Sequence, residues 1–329
     1  MVFQLYDSSS WSTEGCITSQ GTNQTDCYCN HLTFFALVMT SASLTETDLI
    51  VLSYISYIGC GISVFFLGVT LIINIMPRKK KRNHSHVINM NLCGAVFFLN
   101  LTFLMNEWVT SLQNTAACQF IAGLMHYFLL CTFTWFGIES FHLYLLVIKI
   151  FNIYVKHYLL KLHLLGWGLP AVATIIFGSL NFYGQYEILV KDSKSTSICW
   201  IKNTALHYFT VGYYAAVFLF AGVIFSLVLV AILKMTHTNM DPKRKGMTRK
   251  MAITVLGLII SLGLTWGIMF FGFGPLDKAA VYAFCILNSL QGFFLFLKHF
   301  IVHNNRSLDS SESVTERTTS ASNTTSSSQ

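Results

Sequence analysis

Residues 49–76 read LIVLSYISYIGCGISVFFLGVTLIINIM, and residues 77–82 that follow read PRKKKR. A helix rises 1.5 Å per residue, so about 20 mostly apolar residues cross the hydrocarbon core of a bilayer, and this run is long enough to do so. The cationic cluster at its end marks where the chain returns to water. Further runs of the same kind lie near Val87 to Met105, Ala116 to Ile148, Leu160 to Phe182, Leu206 to Leu233, Met251 to Phe273 and Ala279 to Val302. The runs are continuous and lack the period-two alternation of a lipid-facing strand, so they read as helices. The expected fold class is all-α, a bundle of seven spans. Overall composition agrees: the 329-residue chain is 53% hydrophobic and 11% charged, more apolar than a soluble globule of this size can hide.

The basic residues orient the bundle, because cationic loops are retained on the cytoplasmic side. Arg78, Lys79, Lys80, Lys81 and Arg82 fill the first loop, and Lys149, Lys156 and Lys161 flank the third. Lys234, Lys243, Arg244, Lys245, Arg249 and Lys250 border the fifth, and Lys298, Arg306 and Arg317 belong to the tail. The opposite side holds only Lys191, Lys194, Lys202 and Lys278, and residues 1–48 hold none. The amino terminus is therefore expected outside the cell and the carboxyl terminus in the cytoplasm, in the plasma membrane. The net charge of +7 at pH 7 reads as loops facing anionic lipid and an acidic partner. Nucleic-acid binding would need these charges on one folded surface, so it is excluded.

Residues ahead of Leu49 show no secretory signal pattern. The sequence reads as a fragment, or as a chain whose first helix is an uncleaved anchor. Asn23-Gln24-Thr25 is a glycosylation acceptor on the outer side, whereas the sequons at Asn83, Asn305 and Asn323 fall inside and are expected to stay bare. Cys16, Cys27, Cys29, Cys118 and Cys199 face an oxidising space; Cys60, Cys93, Cys131 and Cys285 fall within spans and read as small apolar packing residues. Beyond His303 the chain is mostly Ser, Thr, Asn and charge, and is expected to be disordered. Its hydroxyls suit receptor kinases and arrestin docking, and equally suit a plain solvated tail.

The string Cys27-Tyr28-Cys29-Asn30-His31-Leu32-Thr33, preceded by Trp11-Ser12 and Gly15-Cys16, resembles the self-cleavage site of adhesion G-protein-coupled receptors. The chemistry fits the residue types: His31 is a base for the Thr33 hydroxyl, which attacks the Leu32 carbonyl to give an ester that water opens. The resemblance implies that Thr33, Phe34, Phe35, Ala36, Leu37, Val38 and Met39 form a tethered agonist for a pocket between helices. It also implies a pairing of Cys16 with Cys29, leaving Cys27 without a partner because the family's first cysteine is missing. Most of the domain that positions the scissile bond is missing too, so the chain alone is expected to remain uncut. The plainer reading of this stretch is a disulfide-stapled strand with Phe34 to Met39 as core.

From about Tyr54 to Lys298 the resemblance favours subfamily G of these receptors. Cys118 and Cys199-Trp200 match the family's bridge between the third helix and the second outer loop. Trp135-Phe136-Gly137-Ile138-Glu139 and His142-Leu143-Tyr144 look like its hallmark in the third helix. A carboxylate in mid-span is expensive, so Glu139 is either a functional switch or an interhelical hydrogen-bond post. Gly166-Trp167-Gly168-Leu169-Pro170 in the fourth helix suits close packing. Gly263-Leu264-Thr265-Trp266-Gly267 in the sixth supplies, by resemblance, the agonist sensor Trp266 beside Trp200. Asn288-Ser289-Leu290-Gln291-Gly292 in the seventh offers Asn288 and Gln291 as relay amides. His84 with His86, and His299 with His303, have tolerable metal-ligand spacing without carboxylate companions and read as interfacial side chains. No metal or cofactor is expected.

The resulting division is a cleavage-site remnant with the agonist at 1–39, a linker at 40–48, the helical domain at 49–302 and the tail at 303–329. The implied function is a receptor, not an enzyme, that activates a heterotrimeric G protein when its own peptide enters the bundle. A secretin-like hormone receptor would need a cysteine-rich domain ahead of the first helix. A carrier or channel would be expected to show duplicated halves and further intramembrane acids.

Overall fold

The computed structural model describes residues 2–6, 10–12, 16–20, 25–29, 35–37, 46–75, 84–147, 157–188, 196–236 and 277–300. The amino-terminal segment forms short strands: β1 (Val2–Tyr6), β2 (Ser10–Ser12), β3 (Cys16–Gln20), β4 (Thr25–Cys29) and β5 (Phe35–Leu37). β1 is the centre of an antiparallel sheet ordered β2-β1-β5, and β3 pairs with β4.

The helices are α1 (Glu46–Ile75), α2 (His84–Ser111), α3 (Thr115–Val147), α4 (Tyr158–His163), α5 (Leu169–Ser179), α6 (Thr204–Thr236), α7 (Asp277–Ser289) and α8 (Gln291–Phe300). They overrun the apolar runs because polar residues at the ends still satisfy the backbone ladder. Asparagines close two of these ends: Asn114 Oδ1 accepts the Ala117 N–H at 3.1 Å, and Asn203 Oδ1 accepts the Leu206 N–H at 3.0 Å, each capping the helix that follows. Asn181, at φ 57°, terminates α5, with the Phe182 N–H reaching back to the Phe177 carbonyl at 3.2 Å.

Among the described residues, α1, α2, α3 and α6 are each long and apolar enough to span a membrane, as is the continuous segment Tyr158–Ser179. That segment joins α4 to α5 through the π-helical turn Leu164–Gly168. A sixth span is the pair α7 and α8, bent by 47°. The predicted run Met251 to Phe273 lies outside the described residues.

α3 is the hub. Its Cys131, Trp135, Phe136, Ile138 and Leu143 join Leu67 of α1, Leu92 and Val96 of α2, Leu162 of α4, Phe225 and Val228 of α6, and Leu295 of α8 in one buried cluster. Large apolar side chains such as Phe65, Ile175 and Leu219 point outward, which a hydrocarbon surround requires. Between α5 and α6 the chain makes an antiparallel hairpin of β6 (Tyr183–Ile188) and β7 (Thr196–Ile201), with Tyr183 opposite Ile201 and Gly184 opposite Trp200. The hairpin packs on the starts of α3 and α6 and the end of α2.

Candidate functional site

At the hairpin end, Cys118 and Cys199 form a disulfide that ties β7 to α3. Asn106 of α2 holds the same point from the other side: its Nδ2 donates to the Cys199 carbonyl at 2.8 Å, and its Oδ1 accepts the Cys199 N–H at 3.1 Å. Beneath the hairpin, fully buried His126 of α3 contacts the Tyr183 hydroxyl at 2.7 Å and the Thr210 hydroxyl of α6 at 3.1 Å. Burial pushes the Tyr183 phenol up, so it keeps its proton. Trp200 stands edge-on to His126 at 6.4 Å and packs between two apolar clusters, one around the disulfide and one around Leu129, Phe133 and Tyr214. Asp48, at the start of α1, accepts from Lys278 at 2.9 Å and from the Tyr282 hydroxyl at 3.0 Å, joining α1 to α7.

Towards the opposite end, Lys298 of α8 donates to Glu139 of α3 at 2.6 Å, and both side chains are buried. Lys298 therefore corrects the sequence reading, which counted it with the cationic tail: a carboxylate held among apolar helices needs a cation, and Lys298 is the one beside it. Glu139 Oε2, Trp135 Nε1 and Gln291 Nε2 are also buried and accept or donate no hydrogen bond within the described structure.

Three helices meet at His142, whose Nε2 lies 2.8 Å from the Ser85 hydroxyl of α2 and whose Nδ1 lies 3.2 Å from the Tyr158 hydroxyl of α4. Leu143 is buried beside it, and half-buried Tyr144 stacks on Phe141. Exposed His84, at the start of α2, meets the Tyr158 ring edge-on, and His86 stacks on His299 of α8, which also contacts Asn74 of α1 at 3.1 Å. Among the described residues no group of three or more metal-ligating side chains converges.

The fourth span is fastened to α2 by a directional chain. His163 Nδ1 faces the Leu159 carbonyl at 2.7 Å and so carries the proton; its Nε2 then accepts from Asn91 Nδ2 at 3.2 Å. Asn91 Nδ2 also donates to the Val87 carbonyl at 2.8 Å, and Asn91 Oδ1 accepts the Trp167 indole N–H at 2.9 Å. Gly166 permits this approach. A Cβ there would lie 2.4 Å from Cε2 of Trp135.

The bend between α7 and α8 coincides with a contact from α1. The Ser63 hydroxyl of α1 donates to the Ser289 carbonyl at 2.5 Å, an insertion into the helical ladder that bends a helix without proline. Gly59 and Gly292 leave room for α1: a Cβ on Gly59 would lie 2.1 Å from Ser289 Oγ, and one on Gly292 2.7 Å from Ser63 Cβ. Ser289, not Asn288, makes the contact; Asn288 is half-buried and makes no side-chain bond to a described residue.

Of the residues singled out in the amino-terminal segment, Phe35, Ala36 and Leu37 form β5, with Val2 opposite Leu37 and Gln4 opposite Phe35. Cys16 lies opposite Cys29, and Cys27 opposite Thr18. Asn23, His31, Leu32, Thr33, Phe34, Val38, Met39 and Trp266 lie outside the described residues.

An α-helical bundle with one apolar surround, a disulfide-held hairpin over one end and a polar interhelical network near the other is the architecture of a multi-pass membrane protein. Residues 49–295 match the 7 transmembrane receptor (Secretin family), and residues 3–43 match GAIN subdomain B. The chain is 42% identical over 294 residues to adhesion G protein-coupled receptor G3 of Homo sapiens, covering 87% of this chain and 53% of that protein. It is 37% identical over 310 residues to adhesion G-protein coupled receptor G2 of Homo sapiens, covering 90% and 30% respectively. It is 37% identical over 310 residues to adhesion G-protein coupled receptor G6 of Danio rerio, covering 89% and 26%. The chain thus spans about half or less of the length of these relatives. The chain belongs to the secretin family of seven-transmembrane receptors, in its adhesion branch, and is a receptor rather than an enzyme. The matched stretch includes residues 251–273, which lie outside the described residues.

Proposed function

We propose that this chain is a plasma-membrane receptor whose own segment from Thr33 to Met39 enters the hairpin end of the bundle and drives coupling to a heterotrimeric G protein. The amino terminus and hairpin then face outward, and the loops rich in Lys and Arg meet the G protein and anionic lipid. Asn23 carries sugar, and the Ser- and Thr-rich tail serves receptor kinases and arrestin. The observation that carries this reading is the state of the peptide itself. Among the described residues β5 is an edge strand, Phe35–Leu37, paired on one side, and eight residues separate it from α1. Few backbone bonds hold such a strand, so its release requires little local unfolding.

Aromatic and aliphatic side chains on the peptide suit an apolar pocket at Trp200 and Trp266. The peptide shifts the receptor only if it binds the signalling state more tightly than the resting one. At the opposite end, Glu139, His142, Leu143 and Tyr144 of α3 form the relay with the amides of Asn288 and Gln291 in the last span. The test is Phe35→Ala in the full chain. Basal G-protein signalling per surface receptor is expected to fall to background with surface abundance unchanged, and unaltered signalling would reject the assignment.

A further inference from the structure

We propose that His126 is a positioning residue for the agonist pocket: it fixes the hairpin, and with it Trp200, to both α3 and α6. This rests on the reading of Trp200 as a wall of that pocket. Thr210 has one hydroxyl hydrogen, and it is donated to the Leu206 carbonyl at 2.8 Å. Its oxygen therefore accepts at the other contact, so His126 Nε2 carries the ring hydrogen and donates to Thr210 at 3.1 Å. A neutral imidazole then has Nδ1 free to accept, and the Tyr183 hydroxyl donates to it at 2.7 Å. Hydroxyl, ring and phenol thus form one directional chain from α6 through α3 to β6.

Each ring in this group is placed by another. Tyr183 lies against Gly123 of α3, where a Cβ would sit in ordinary contact, 3.5 Å from its ring. Phe177 of α5 lies 6.2 Å from the His126 ring, and Trp200 closes the remaining side. Tyr183 and Trp200 sit on neighbouring strands, one register step apart. A hairpin is not rigid by itself, and its disulfide fixes only Cys199; His126 fixes the partner strand beside Trp200 and couples it to α6. A buried histidine with both nitrogens engaged has this as its chemistry, since either lost bond leaves a polar group in an apolar site.

The experiment uses the full chain in cells, with surface abundance measured and the synthetic peptide Thr33 to Met39 as probe. Tyr183→Phe is expected to raise the peptide concentration for half-maximal signalling about tenfold, the worth of one buried hydrogen bond, and His126→Phe by at least as much because it also removes the bond to Thr210, with the maximal response kept in both. The double variant is expected to be no worse than His126→Phe alone, because both remove the same bond. Tyr183→Phe deletes one oxygen and keeps the ring, so it folds even where His126→Phe does not. Unchanged potency in Tyr183→Phe, additive losses, or a fall in maximal response at unchanged potency overturns the assignment. Silence of the unmodified chain towards the peptide overturns the agonist reading and this assignment with it. Independently of signalling, ring-15N-labelled histidine is expected to show one unprotonated Nδ1 that shifts in Tyr183→Phe; no such shift refutes the geometry itself.

Discussion

Glu139 of α3 and Lys298 of α8 form a buried ion pair at 2.6 Å, 159 residues apart in sequence, inside an otherwise apolar cluster. Its position matters more than its strength. Residue 298 binds α8 to α3, and the next residue, His299, contacts Asn74 of α1 and stacks on His86 of α2. The end of the last described helix is therefore held on two sides, below a bend that Ser63 maintains.

Neutralising one member leaves the other charged, buried and unpaired. Lys298→Met and Glu139→Gln are each expected to destabilise the receptor by about 3–5 kcal/mol, and the double variant by much less. Heat-induced loss of folded receptor in detergent measures this; a Lys298→Met receptor as resistant as the unmodified chain would contradict the pair's place in the core.

Gly166 sets how closely the fourth span approaches α3. Gly166→Ala is expected to cost about 1–3 kcal/mol through the collision with Trp135. Combining it with Trp135→Leu should return part of that loss, since the ring that obstructs the new methyl is gone. Absence of any such relief in the same melting measurement would mean that the strain lies elsewhere.

The membrane runs were legible because solvent imposes them: an apolar run of helical length has one use in this composition. The ends were less so. Asn114 and Asn203 extend or open helices by capping, which hydropathy does not register. Glu139 stood out as an intramembrane acid, but Lys298 was read with the tail because it falls near the end of its run. An acid in one span calls for a base in another, and the one that answers Glu139 lies 159 residues away. The 47° bend left no local signal, since the hydroxyl that causes it lies 226 residues away on α1. The π turn was equally silent, its residues being plain helix formers and glycines. His126 carries no signal of its own in an apolar stretch; its partners arrive from a hairpin and from α6, which no local pattern pairs with it.

The Cys118–Cys199 bridge closes 81 residues of chain and anchors the hairpin. Replacing both cysteines by serine is expected to destabilise the hairpin end by about 2–5 kcal/mol and to weaken the peptide response. A double serine variant with unaltered melting and unaltered peptide potency would show that Asn106 alone suffices to hold β7.

Self-cleavage needs the scissile bond held in attacking geometry, and the chain spans about half or less of the relatives it matches. Expressed as it stands, the chain is expected to run as a single intact band on a denaturing gel. Conversion to a species beginning at Thr33 would show that the short strands suffice for the chemistry.

The central claim is that the segment beginning at Thr33 is the agonist of the bundle to which it is joined. Cells carrying the chain would be exposed to a synthetic peptide copying Thr33 to Met39, with activation of each heterotrimeric G-protein class recorded beside a Phe35→Ala control peptide. Saturable activation of at least one class by the native peptide and not by the control is the predicted result; equal responses to both, or none to either, would contradict it.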